Sequence, residues 1–87
     1  MTAGSARFRL LVRQDCELCL ELEAMLAADP RVAAAGLLIV DLATSPALLE
    51  RFTYRVPILF VGERELVYGR VEPAELATAL TAEFAES

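Results

Sequence analysis

Two short apolar runs, FRLLV at Phe8–Val12 and LLIV at Leu37–Val40, flank a segment in which Leu18, Leu22, Met25 and Leu26 recur at i, i+4, i+7 and i+8. Short apolar runs suit buried strands, whereas the period near 3.6 between them suits a helix with one apolar stripe. Strand, helix and strand within about 35 residues form a βαβ unit, with a right-handed crossover expected. Arg7 and Arg13 bracket the first strand, and Glu17 and Glu21 share a polar face of the helix. Asp29 precedes Pro30, so it is pushed out of the α region and ends the helix. Gly36 opens the second strand, and Asp41 closes it as a turn residue.

The second half of the chain departs from this unit. Ser45 suits a helix N-cap and Pro46 a first helical position, leading into the short helix ALLERF. Ile58–Val61 and Glu65–Tyr68 lie so close that only a hairpin joins them, with Gly62 fitted to the first central position of a type II′ turn. Pro73 then starts a last helix whose Leu76, Leu80 and Phe84 form one apolar stripe. The expected order is β-α-β-α-β-β-α in a single α/β domain over residues 1–87, with a mixed four-stranded sheet and residues 1–6 and 85–87 as tails.

A chain of 87 residues holds one core. With 56% hydrophobic residues and only four Gly and four Pro, it has the means to fold. Its longest apolar run, Val32–Val40, is too short to cross a bilayer, and Arg7, Arg9 and Arg13 interrupt the N-terminal run that a secretory signal would need. These features favour a cytoplasmic location. A net charge of −5 without a basic block offers nothing to nucleic acid or to anionic lipid.

The only two cysteines, Cys16 and Cys19, stand three residues apart where the first strand gives way to the helix. In a reducing compartment a permanent bridge is disfavoured, and so short a loop would constrain the unfolded chain little. The loop leaving a strand for a helix is where open α/β sheets bind ligands. At the helix N-terminus, unpaired backbone N–H groups and the macrodipole stabilise a Cys16 thiolate over the thiol. Cys19 lies on the same side of the first turn, about 5–6 Å away between Cβ atoms, within reach of a reversible disulfide. Such a pair supports attack by one thiolate and resolution by the other. Two other readings stay open: a zinc site that recruits carboxylates such as Asp15 or a second chain, because there is no His and no third Cys, and a pair of inert buried cysteines. Glu17, directly after Cys16, opposes thiolate formation.

A second stretch, TYRVPILFVG at Thr53–Gly62, sets Pro57 immediately before the third strand. Taken together, Cys16-Glu17-Leu18-Cys19 after the first strand and Arg55-Val56-Pro57 before the third, followed by a hairpin and a helix, resemble the thioredoxin fold and, within it, the glutaredoxins. The small size, Arg13 and the CxLC motif resemble a group of short bacterial glutaredoxin-like domains. The resemblance implies a three-layer sandwich and a cis Pro57 packed against the cysteine pair. It also implies that the Val56 backbone offers strand-like hydrogen bonds to a substrate, and that Arg13 contacts a glutathione carboxylate or the thiolate.

Where glutaredoxins carry paired glycines and acidic residues that hold glutathione, this chain has Gly69, Arg70, Val71 and Glu72, so weaker use of glutathione is expected. Arg55 and Arg70 could steer an anionic substrate, while Tyr54 and Tyr68 read as packing residues of sheet or loop. The resulting expectation is a thiol–disulfide oxidoreductase with Cys16 as nucleophile and an exposed thiol, and Cys19 as resolving thiol. Val56, Pro57, Arg13, Arg55, Gly69 and Arg70 border its substrate. Its partner would be a protein or low-molecular-weight disulfide, with glutathione as co-substrate or a thioredoxin-type reductant, no tightly bound cofactor and no metal. The alternatives are a non-catalytic thioredoxin-fold binding module or redox-sensitive partner protein, and a dimer bridged by an iron–sulfur cluster.

Overall fold

Strand alternation divides the apolar side chains of the first strand between two faces, and the molecule builds a layer on each. The computed structural model describes residues 6–86. Its elements are β1 (Phe8–Val12), α1 (Glu17–Ala27), α2 (Pro30–Ala35), β2 (Leu37–Asp41), a 3₁₀ turn (Leu42–Thr44), α3 (Pro46–Phe52), β3 (Ile58–Val61), β4 (Arg64–Tyr68) and α4 (Pro73–Ala85). The sheet order is β2-β1-β3-β4. β1 runs parallel to β2 and antiparallel to β3, and β3 pairs antiparallel with β4, so the sheet is mixed as the βαβ unit and the hairpin require.

Phe8 and Leu10 of β1 meet Leu22 and Leu26 of α1 and Leu76 and Leu80 of α4 in the larger core. On the opposite face Leu11 and Ile58 meet Leu42 and Phe52, which α3 and the 3₁₀ turn supply. The result is an α/β three-layer arrangement of the thioredoxin-like kind, with helices on both sides of one sheet. No helix among the described residues is long and apolar enough to cross a membrane.

The local signals act as their chemistry dictates. Ser45 Oγ accepts the Leu48 N–H at 3.3 Å, and Pro46 opens α3. Asp41 Oδ1 accepts the Ala43 N–H at 2.9 Å, ending β2 as a turn residue. Gly62, at φ +59°, turns the β3–β4 hairpin.

One element is additional. Asp29 does end α1, but its side chain then caps α2 by accepting the Arg31 N–H at 2.9 Å, with Pro30 at the first helical position. The crossover therefore contains two helices. A proline that stops one helix can start the next, because its missing N–H has no partner in the first turn anyway. α2 ends at Gly36, whose φ of +95° would strain any other residue and whose close approach to Ala6 would crowd an added Cβ. At the other terminus α4 continues through Ala85, which the sequence places in a tail. The tail expected at residues 1–6 lies, but for Ala6, outside the described residues, as does Ser87.

Candidate active site

β1 delivers the chain to the site through a tight turn at Gln14 and Asp15. Asp15 adopts φ +56°, a left-handed conformation that short polar side chains tolerate better than most. It reverses the chain so that Cys16, in extended conformation, becomes the N-cap of α1. The Cys16 Sγ accepts the Cys19 backbone N–H at 3.1 Å, and the Cys16 carbonyl accepts the Leu20 N–H at 3.2 Å. The sulfur thus does what a Ser or Asp oxygen does at an ordinary N-cap.

Cys16 and Cys19 are joined as a disulfide, with Cα atoms 5.2 Å apart. Cys16 is 9% exposed and Cys19 2%. The order of exposure is the expected one, but Cys16 is buried in this state rather than open. The reason is packing: Leu11, Leu42, Phe52, Val56 and Ile58 gather around the pair in the smaller core.

Val56 therefore shares its surroundings with both cysteines, and Pro57, next in the chain, is buried. The Val56–Pro57 peptide bond is cis. The Pro57 carbonyl accepts the Gly69 N–H at 2.8 Å, with Gly69 at φ +69°, which ties the start of β3 to the end of β4 and commits the Gly69 donor internally. Arg13 is exposed and reaches neither sulfur; its Nε donates to the Thr53 carbonyl at 3.1 Å, clamping the turn before Cys16 to the segment that leads to Val56.

Arg55 pairs with both Glu65 oxygens, at 2.7 and 3.2 Å, and lies over the Tyr68 ring at 5.2 Å. The Glu65 hydrogen bond holds the Arg55 guanidinium above its ordinary pKa. Arg70 stands elsewhere, with Glu21, Met25 and Val71 around a surface cavity of about 420 Å³ between α1 and the start of α4. Tyr54 does not pack in a loop as its type suggests: it is 98% exposed, since the turn between α3 and β3 carries it outward. Tyr68 is exposed too. Among the described residues no group of three or more Cys, Asp or Glu side chains is arranged to hold a metal ion.

A family model described as Glutaredoxin-like domain (DUF836) matches residues 7–81. The chain belongs to the glutaredoxin-like domain family. No curated protein matches it. The match spans both the cysteine pair and the Val56–Pro57 segment, and a CxxC pair at disulfide distance on a glutaredoxin-like domain fits a redox motif.

Two contributors to this glutaredoxin-like site, Phe52 and Leu42, were not singled out in the sequence, and Asp15 was read there only as a possible zinc ligand and not for its turn. Asp15 left a faint signal, because aspartate before an N-cap is among the few residues suited to a left-handed turn. Phe52 and Leu42 left none, since only the folded sheet brings them to the cysteines.

Proposed function

We propose that this chain is a glutaredoxin-like thiol–disulfide oxidoreductase in which Cys16 attacks and Cys19 resolves. The observation that carries the reading is the N-cap position of Cys16, with its sulfur receiving a backbone N–H and lying bonded to Cys19. Once the pair is reduced, the same N–H and the start of the α1 dipole favour negative charge on Cys16 over Cys19.

In the forward direction the Cys16 thiolate attacks one sulfur of a substrate disulfide, forming a mixed disulfide and releasing the other sulfur as thiolate. The Cys19 thiolate then attacks Cys16 Sγ, closing the Cys16–Cys19 bond and freeing the second substrate thiol. Two electrons have moved from the pair to the substrate. An external dithiol, or two glutathione molecules, returns them.

The substrate lies along Val56 and Pro57, where an extended segment can pair with the Val56 backbone. Arg13, beside the segment that leads to Val56, supplies the positive charge that borders an anionic substrate, since Arg55 is paired with Glu65 and Arg70 stands at another surface. Gly69 adds no free donor because Pro57 takes its N–H. Glutathione is accordingly a weak co-substrate, and a protein disulfide or another small disulfide is the better one. A reducing compartment such as the cytoplasm keeps the pair available as a dithiol.

Turnover decides the reading. A mixed glutathione disulfide and a protein disulfide are each offered with the glutathione and the thioredoxin reducing systems. Activity with any combination, abolished in Cys16→Ser, supports the enzyme. Inertness in all of them makes the chain a thioredoxin-fold binding module.

A further inference from the structure

Arg9 is a half-buried charge on β1, a strand paired on both sides. Phe8 and Leu10 point to the larger core, so by strand alternation Arg9 shares the opposite face with Leu11. That face is only partly roofed. α3 has seven residues, about 10 Å of helix, and it packs at the end of the sheet that carries Leu11 and Ile58. One row further along, the strand pairings set Leu38, Arg9, Phe60 and Glu65 side by side, and Leu38 is 40% exposed there.

A cavity of about 320 Å³ opens at this boundary. Leu11, Val40 and Leu48 give it an apolar lining, and Phe52 and Phe60 two aromatic walls with ring centroids 6.4 Å apart. Arg9, Arg51, Glu63 and Glu65 complete it. Arg9 lies over the Phe60 ring at 5.3 Å and donates Nη2 to the Gly62 carbonyl at 3.1 Å, while Arg51 lies over the Phe52 ring at 5.1 Å. Neither guanidinium has an ion-pair partner among the described residues, so most of their donors remain open to a ligand. The two carboxylates differ: Glu65 gives both oxygens to Arg55, and Glu63 is in no ion pair among the described residues.

We propose that this cavity binds a small aromatic monocarboxylate, and that its occupant holds Phe52 in place beside the Cys16–Cys19 disulfide. One negative charge is what the site lacks, because two unpaired guanidiniums face the single unpaired carboxylate of Glu63. The planar forks of Arg9 and Arg51 suit a carboxylate, and the aromatic walls suit a flat ring. The volume stands at the small end of ligand pockets, which limits the body to one or two rings.

Leu11 and Phe52 line both this cavity and the wall around the sulfurs. With Cys16 only 9% exposed and Cys19 2%, a reductant must wait for local opening of that wall. Opening that lifts Phe52 also dismantles the cavity, so the ligand binds the closed form alone and makes opening rarer. The inference concerns the disulfide itself and stands whether or not the chain turns over a substrate.

The test uses 2-naphthoate as the probe. Titrated into the isotope-labelled, oxidised full chain, it should give saturable amide shifts around Arg9, Val40, Phe52 and Phe60, with a Kd of about 1 mM or tighter. Acetate, which lacks the rings, and naphthylmethylammonium, which reverses the charge, should bind at least about tenfold more weakly. Arg51 is exposed and outside any ion pair among the described residues, so Arg51→Gln should stay folded. It and Arg9→Gln should each lose about tenfold in affinity, whereas Arg70→Gln, at the other cavity, should bind as wild type does. Reduction of Cys16–Cys19 by dithiothreitol, itself oxidised to its cyclic disulfide, should slow about twofold at a naphthoate concentration equal to Kd and about tenfold at nine times Kd. Shifts centred on Met25 and Val71 would overturn the proposal. So would equal binding of acetate or of the ammonium, undiminished affinity in folded Arg51→Gln, or a reduction rate that naphthoate leaves unchanged.

Discussion

At φ +56°, Asp15 carries a backbone conformation that most side chains resist, and it does so directly before the cysteine that caps α1. Replacing it with glycine should be tolerated, because glycine enters this region freely. Replacing it with valine should cost about 1–2 kcal/mol, the usual penalty of forcing a β-branched residue into the left-handed region. Urea unfolding at constant slope measures the difference, and equal midpoints for the two variants would refute the argument. The two cysteines differ at this scale as well. In the reduced protein Cys16, which is the more exposed and receives the Cys19 N–H, should be alkylated faster than Cys19. Glu17→Gln should quicken Cys16 further by removing a carboxylate that opposes the thiolate. Cys19→Ser should trap a mixed disulfide through Cys16, because attack still occurs without resolution. Mass spectrometry reads all three, and adducts forming mainly on Cys19 would reverse the assigned roles.

Among the elements, α4 shows how a sequence pattern can be right and incomplete. Leu76 and Leu80 are buried as their spacing requires, but the next position on that stripe, at i+7, is Glu83, only 7% exposed. Its carboxylate meets Arg64 of β4 at 2.6 Å and Arg7, just before β1, at 2.9 Å, so the helix is clamped to two strands by charge. The hydrogen bond from Arg64, and then that from Arg7, holds Glu83 below the ordinary carboxylate range. A group whose folded value is depressed adds stability above its unfolded pKa and loses it as pH falls through the folded one. Acid should therefore loosen the α4 clamp, and Glu83→Gln should flatten the stability profile below the ordinary carboxylate pKa. Asp29, lowered by its bond to Arg31, leaves part of the slope. Unfolding midpoints from neutral to strongly acid pH test this; parallel curves would sink it. Strands, α1, α3 and α4 were legible because each has its own period, cap or turn residue. α2 was not, since PRVAAA has no stripe and merges with the following strand into one apolar run. The 3₁₀ turn at Leu42–Thr44 has no pattern to read. The cysteine pair and Pro57 were visible as motifs, but the walls around the sulfurs exist only through contacts between distant segments.

For the molecule as a whole, the sheet separates two cores of different duty. The larger holds Phe8, Leu10, Leu22, Leu26, Leu59, Leu76 and Leu80, and the smaller holds both cysteines with Leu11, Leu42, Phe52, Val56 and Ile58. Stability is shared between them, but access to the disulfide is governed by the smaller alone, because its side chains cover the sulfurs. Leu26 and Leu42 make a matched comparison: the same residue type, both fully buried, one in each core. Truncating either to alanine should destabilise the fold by about 2–5 kcal/mol, through lost burial and the cavity left behind. The two should part in the rate at which a small thiol reduces Cys16–Cys19 under native conditions. Leu42→Ala removes packing beside the pair and lets local opening expose a sulfur without global unfolding, so reduction should quicken by about tenfold, the equivalent of 1.4 kcal/mol in opening free energy. Leu26→Ala weakens the opposite face and should leave the native-state rate near that of wild type. Equal acceleration in both would mean that reduction proceeds through global unfolding, and that the smaller core does not act as the cover of the redox pair.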